Sequence, residues 1–207
     1  MPTTVTAHVR YRGLTARDLA LVAVFAALIA ALSVTVAIPI GPVPITLQTL
    51  GIMLAPSLLG WKRGCLAIAA FLALGLAGLP LFAGGRGGLS VLAGPTGGFI
   101  VSWIFAGLVI GLLTDRMVAR GRYVFWRGLA ANVLGGVVVI YAIGVPWMAV
   151  VLGDGVLAGA LSMAAFLPGD LLKAVATASI ASAVFRAYPI PPAGRPVVDD
   201  RVPEENG

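Results

Sequence analysis

Apolar stretches, most of them close to the length of a bilayer crossing, alternate with short polar breaks along nearly the whole chain. Residues 1–18 are polar and carry Arg10, Arg12, Arg17 and Asp18. Apolar runs follow at about 19–37, 47–60, 64–79, 99–113 and 128–150, and a last one opens at Pro168 and ends near Arg186. A membrane-spanning helix needs about 20 mainly apolar residues. The runs are continuous and lack the in–out alternation of a membrane strand. The pattern therefore predicts an all-α integral membrane protein with six transmembrane helices. The membrane domain is expected over 19–186, after an N-terminal arm (1–18) and before a disordered, proline-rich polar tail (187–207). The run 47–60 is short, so part of the stiff connector Pro39-Ile40-Gly41-Pro42-Val43-Pro44 before it is expected at membrane depth. Residues 152–167 are apolar but interrupted by Gly153-Asp154-Gly155. Pattern alone does not place them; a loop with a short interfacial helix is one reading. No internal repeat is visible.

Composition supports the same class. Of 207 residues, 59% are hydrophobic and 11% charged, and the mean hydropathy is +1.02; a soluble domain carries about 25% charged residues. A net charge of +6 would suggest nucleic acid as the partner of a soluble chain. In a membrane protein the same surplus follows from the collection of Lys and Arg on the cytoplasmic side. With six crossings, all but two of the 14 Lys and Arg fall on the side of the termini. They are Arg10, Arg12 and Arg17; Lys62 and Arg63; Arg116, Arg120, Arg122 and Arg127; and Arg186, Arg195 and Arg201. Both termini are thus expected in the cytoplasm, with the chain a multi-pass protein of the cytoplasmic (inner) membrane and no nucleic-acid partner. The first apolar run is long and followed by others, so it is expected to be retained rather than cleaved as a signal. The two cations left over, Arg86 and Lys173, lie on the outer side, where topology has no use for them.

Both occur in segments that already stand out. In Pro168-Gly169-Asp170-Leu171-Leu172-Lys173 an acid and a base share one face of a helix that Pro168 is suited to start. Placing such groups in lipid costs about 3 kcal/mol each, so they need a partner, a cavity or a purpose. Arg86 sits in a long glycine-rich connection, Pro80-Leu81-Phe82-Ala83-Gly84-Gly85-Arg86-Gly87-Gly88, which continues to Gly94-Pro95-Thr96-Gly97-Gly98. Connections of this length are more often functional than not, and glycine lets backbone approach a ligand; a plain flexible loop is the alternative. These segments converge with the first connector on the outer half and describe an outward-facing pocket. Arg86 and Lys173 suit a ligand carboxylate, and Asp170 accepts from N–H groups. Thr46, Gln48, Asn132 and Tyr141 can add neutral hydrogen bonds if their helices turn inward. The chemistry fits a small, mostly apolar molecule with an acid at one end and N–H groups at the other. The bland alternative, an Asp170–Lys173 pair that only neutralises itself, leaves Arg86 unexplained.

The first run also carries rows of small residues, Ala23, Ala27 and Ala31 in one and Ala26 and Ala30 in the next. Such rows let helices approach closely in lipid, either within the chain or against a partner subunit. Enzyme chemistry finds little support. The two lysines, Lys62 and Lys173, lack a phosphate-binding glycine loop before them, and no Gly-x-Ser-x-Gly elbow is present. The single histidine, His8, lies in the arm, the lone Cys65 has no partner for a disulfide within the chain, and ligands for a zinc site are too few. No cofactor is expected, and ATP-driven work would have to come from another polypeptide.

Four blocks in this order resemble the BioY family of biotin transporters, the substrate-binding S components of energy-coupling factor transporters. They are Val43-Pro44-Ile45-Thr46-Leu47-Gln48-Thr49-Leu50-Gly51, Gly78 to Gly88, Gly94 to Gly98, and Pro168 to Lys173. The resemblance runs from about Val43 to Lys173 and excludes the polar tail. It implies a six-helix S-component fold with cytoplasmic termini, and high-affinity biotin capture and uptake. It also implies that Asp170 accepts a ureido N–H while Lys173 and Arg86 hold the carboxylate. Ala23, Ala26, Ala27 and Ala30 would dock a transmembrane coupling subunit, with ATPase subunits behind it. Self-association and the need for dedicated ATPases stay open. The alternative is a membrane transporter or binding protein for another small carboxylate or vitamin.

Overall fold

A computed structural model describes residues 9–35, 37–40, 43–188, 190, 193 and 195–198. Most of the expected disordered tail, and residues 1–8 of the arm, lie outside the described residues. The body is helical: α1 (Ala16–Thr35), α2 (Gln48–Leu76), α3 (Gly97–Ala119), α4 (Phe125–Val133), α5 (Ile140–Leu152), α6 (Val156–Met163) and α7 (Leu167–Ala187). A π-helical stretch, Leu134–Val139, joins α4 to α5 without a break, and a 3-10 turn, Ala164–Phe166, joins α6 to α7. Five of the resulting helical stretches are long and apolar enough to cross a membrane: Ala16–Thr35, Gln48–Leu76, Gly97–Ala119, Phe125–Leu152 and Val156–Ala187. The expectation of an all-α protein holds for this body. The connectors add two short antiparallel ladders, β1 (Val9–Arg12) with β4 (Arg195–Val198) and β2 (Ala37–Ile40) with β3 (Val43–Thr46). The stiff connector is thus a hairpin, with Pro39 opposite Pro44.

The runs at 47–60 and 64–79 emerge as a single helix, α2, broken at Gly60 (φ 75°, ψ −176°). That conformation is essentially restricted to glycine, and Asp115 leaves no room there for a Cβ. A Cβ on Gly64 would lie 2.5 Å from Pro56 Cα, whereas eight residues of straight helix separate two positions by about 12 Å. The two arms of α2 therefore fold back against each other at Gly60. The first arm packs on α1, with Gly51 against Ile29, and the second on α3, with Gly107 against Ile68. Asp115 of α3 holds the bend by accepting the Trp61 backbone N–H at 3.2 Å.

Residues 152–167, ambiguous in the pattern, form α6 and the turn that delivers α7. Pro168 stands in the first turn of α7, where its missing N–H costs nothing. The π stretch fits more residues into each turn than an α-helix does and so turns α5 relative to α4; Tyr141, at the start of α5, thereby meets α7. The main core gathers Ile29, Ile52, Phe71, Phe82, Trp103 and Met148. Phe82 is the unexpected member, because it belongs to the glycine-rich connection. It packs edge-on against Phe71, with centroids 5.7 Å apart at 89°, and lies 6.4 Å from Trp103. The connection is therefore pinned: Phe82 N–H donates to Arg86 O at 2.9 Å and Gly88 N–H to Gly75 O at 2.8 Å.

Candidate binding site

Two polar centres lie side by side at one end of the bundle. The first is built on α7. Asp170 sits in its first turn, where a helix favours an anion, and is 7% exposed. Lys173 Nζ donates to Asp170 Oδ1 at 2.9 Å and to Thr49 Oγ1 at 2.9 Å, and Tyr141 Oη donates to Asp170 Oδ2 at 2.7 Å. One carboxylate therefore ties together the first turn of α2, the start of α5 and α7. The pair is charge-balanced and largely removed from water, the arrangement in which such contacts are strong.

The second centre is a cavity with about 450 Å³ of empty space, part of it open to solvent, between the glycine-rich connection and α3. Thr46, Gln48, Phe82, Arg86, Thr96, Phe99 and Trp103 are among its wall residues. Arg86 is exposed and donates its Nε–H to Ala83 O at 3.2 Å; among the described residues it pairs with no carboxylate. Three other wall groups, Gln48 Nε2, Thr96 Oγ1 and Trp103 Nε1, are buried without a hydrogen-bond partner. Native interiors leave few polar groups in that state, because each costs about 1–3 kcal/mol. Three around one cavity amount to a set of donors waiting for acceptors.

The two centres touch through Phe99 and Tyr141, whose rings meet edge to face at 6.4 Å, and through the neighbours Gln48 and Thr49. The structure thus brings Asp170, Lys173 and Tyr141 together and groups Arg86, Gln48 and Thr46 beside them. It leaves Asn132 elsewhere. That amide is fully buried, accepts from Ser57 Oγ at 3.0 Å and donates to Gly128 O at 2.9 Å, joining α4 to the first arm of α2. Thr49 in the ion-pair network, and Trp103 and Thr96 in the cavity wall, are not among the site residues expected from the sequence. Thr96 and Thr49 stand inside the motif blocks, but Trp103 lies in an apolar run with no local signal.

The small residues of α1 divide between two faces. Ala26 is 6% exposed and belongs to the core, with Ala30 packed partly against it, while Ala23, Ala27 and Ala31 are exposed. The structure adds a pairing absent from the linear pattern, where Asp18 belongs to the polar arm and Arg63 to the cations on the side of the termini. They form a buried ion pair, with side chains 1% and 3% exposed, that fastens the start of α1 to α2 just past the bend. Asp18 also accepts from Thr15 N–H at 2.7 Å and Thr15 Oγ–H at 2.9 Å.

These features define a class first: a polytopic helical membrane protein that holds a small chamber, rimmed by a cation and lined with unsatisfied donors, beside a buried acid–base pair. Among the described residues no group of three or more His, Cys, Asp or Glu is placed to hold a metal. The comparisons with known proteins then narrow it. The chain belongs to the BioY family, whose profile matches residues 3–190. It is 44% identical over 182 residues to the biotin transporter BioY of Rhizobium etli, covering 86% of this chain and 97% of that one. It is 42% identical over 183 residues to the biotin transporter BioY of Rhodobacter capsulatus, covering 84% and 95%. Among solved structures it is similar to the S-component for biotin from an ECF-type ABC transporter, with a TM-score of 0.79 and 34% identity over 84% of this chain and 95% of that one.

Proposed function

We propose that the chain captures biotin and serves its uptake across the cytoplasmic membrane as the S component of an energy-coupling factor transporter. It is a transport component and not an enzyme, as its family membership implies. Biotin is its cargo and no cofactor is called for. Counting the two arms of α2 as separate crossings gives six, which puts both termini on one side; the distribution of Lys and Arg favours the cytoplasm for that side.

The observation that carries the reading is that a cation with no carboxylate partner among the described residues, and three unpartnered buried groups, stand beside a buried ion pair. Without ligand, Asp170, Lys173 and Arg86 sum to one positive charge; a bound carboxylate brings the site to neutrality. Biotin then opens the Asp170–Lys173 contact and replaces it on both sides. Its ureido N–H groups donate to Asp170, while its carboxylate takes Lys173 Nζ and Arg86. Gln48, Thr46, Thr96 and Trp103 supply neutral contacts along the cavity, and Tyr141 orients Asp170. Asn132 acts at a distance, by setting α4 against α2. Partner docking falls to the outward row Ala23, Ala27 and Ala31, which leaves α1 flat enough for a transmembrane coupling subunit and, through it, the ATPases.

Equilibrium binding of radiolabelled biotin to the purified chain is the test. Saturable binding is expected; a wild-type protein that shows none sinks the biotin reading. Asp170→Asn and Lys173→Ala are expected to weaken binding strongly, and if both bind as wild type does, the site assignment is wrong even though the ligand is right.

A further inference from the structure

A second cavity lies at the opposite end of the bundle, between the α3–α4 turn and the last two turns of α7, with about 530 Å³ of empty space, part of it open to solvent. Arg122 and Arg186 stand in its wall together with Tyr123, Ser182 and Phe185. Burial sorts these residues by depth: Arg122 and Arg186 are both exposed, whereas Ser182 and Tyr123 are 6% and 9% exposed. The phenol ring of Tyr123 stacks on Phe185, with centroids 5.2 Å apart at 12°, and makes an apolar wall. Ser182 Oγ is buried without a hydrogen-bond partner.

Arg186 donates its Nε–H to Ser182 O at 3.4 Å, and among the described residues neither Arg186 nor Arg122 forms an ion pair. Among the described residues no acidic side chain lines the cavity. Two guanidinium groups at the mouth of a pocket with an aromatic wall and a buried hydroxyl suit a phosphate oxygen set flanked by hydrocarbon. Arg116, Arg120 and Arg127 add to the positive field on the same side of the membrane.

We propose that this cavity binds the phosphate headgroup of an anionic phospholipid from the cytoplasmic leaflet, with Arg122 and Arg186 as the anion ligands. The side assigned to it rests on the orientation given under the proposed function, whereas the anion preference rests on the cavity alone. A basic pocket between membrane helices at the cytoplasmic surface is the setting in which such headgroups are recognised. Bound there, the lipid fills the gap between the α3–α4 turn and α7, the same helix that carries Asp170 at its other end.

The test is native mass spectrometry of the purified full-length protein titrated with phosphatidylglycerol or with phosphatidylcholine of matched chains. Phosphatidylglycerol is expected to be retained about tenfold more tightly, and R122Q/R186Q to lose about tenfold of that affinity. The control R116Q/R127Q, which removes as much charge from the same side, is expected to change it less than about twofold. Biotin binding reports folding of each variant independently of the lipid. If R122Q/R186Q fails to fold, R122Q alone, at an exposed position, is expected to lose about threefold. Equal retention of the two lipids, or equal losses in the two double variants, overturns the proposal. So does retention of inorganic phosphate in preference to phosphatidylglycerol, which would assign the cavity to a free anion.

Discussion

Asp170→Asn isolates the contribution of one charge at constant shape. In the wild type the carboxylate receives Lys173 Nζ at 2.9 Å and Tyr141 Oη at 2.7 Å. Asparagine keeps one acceptor oxygen, enough for Tyr141, but it removes the charge opposite Lys173, whose side chain is only 12% exposed. Two consequences separate. Stability falls because a largely buried ammonium loses its counter-charge, a change worth about 3–5 kcal/mol when fully buried and less here, where Thr49 still accepts from the ammonium. Biotin affinity falls because ureido N–H groups now meet a neutral amide; a hydrogen bond to a charged group is worth about 1.5–3 kcal/mol, so the dissociation constant should rise about 10- to 150-fold. Thermal unfolding without ligand and equilibrium biotin binding read the two separately. D170N/K173M sharpens the test, since removing both charges relieves the unpaired ammonium. It should recover most of the lost stability and none of the lost affinity. An Asp170→Asn protein that binds within about twofold of wild type would refute the assignment of Asp170 as a ligand contact.

Trp103→Phe keeps most of the ring packing but deletes an indole N–H that has no hydrogen-bond partner within the protein. It should leave ligand-free stability unchanged or slightly raised and weaken biotin about two- to tenfold, measured by the same two assays; lower stability with unchanged affinity would make Trp103 a packing residue only. Asp18→Asn should lower thermal stability by about 3 kcal/mol, since it removes the charge paired with the buried Arg63, while biotin affinity stays within about twofold. Gly60→Ala should cost about 1–3 kcal/mol from backbone strain alone, with more from displacing Asp115; expression yield and thermal unfolding check it, and a neutral result would argue against the bend. Ala23→Trp, on the outward row, should preserve biotin binding and abolish co-purification with a coupling subunit, whereas Ala26→Trp, aimed into the core, should fail to fold. Unaltered co-purification of Ala23→Trp would remove that row from the docking surface.

The apolar runs, the class of protein and its family were legible in the sequence, because spanning a bilayer imposes long continuous hydrophobic stretches and because four motif blocks stand in a fixed order. Asp170, Lys173 and Arg86 also stood out there, as charges that neither lipid nor topology explains. What the linear pattern could not contain is which groups meet across the bundle. Gly60 looks like one helix-ending glycine among the 27 of the chain, yet α2 folds back on itself there in a backbone conformation that favours glycine, with Asp115, 55 positions on, occupying the space a side chain would need. Asp18 stands in the sequence as one charge of the polar arm and Arg63 as one cation of the cytoplasmic side, until α1 and α2 are laid together and close over them. Asn132 looked as eligible for the pocket as Tyr141; only the helix positions send one amide to Ser57 and one phenol to Asp170. Trp103 gave no local sign at all, since an indole in an apolar run is normally packing. Hydrophobicity is a property of each residue and survives in the sequence. Hydrogen-bond satisfaction belongs to pairs, and only the tertiary structure decides which pairs form and which donors are left waiting.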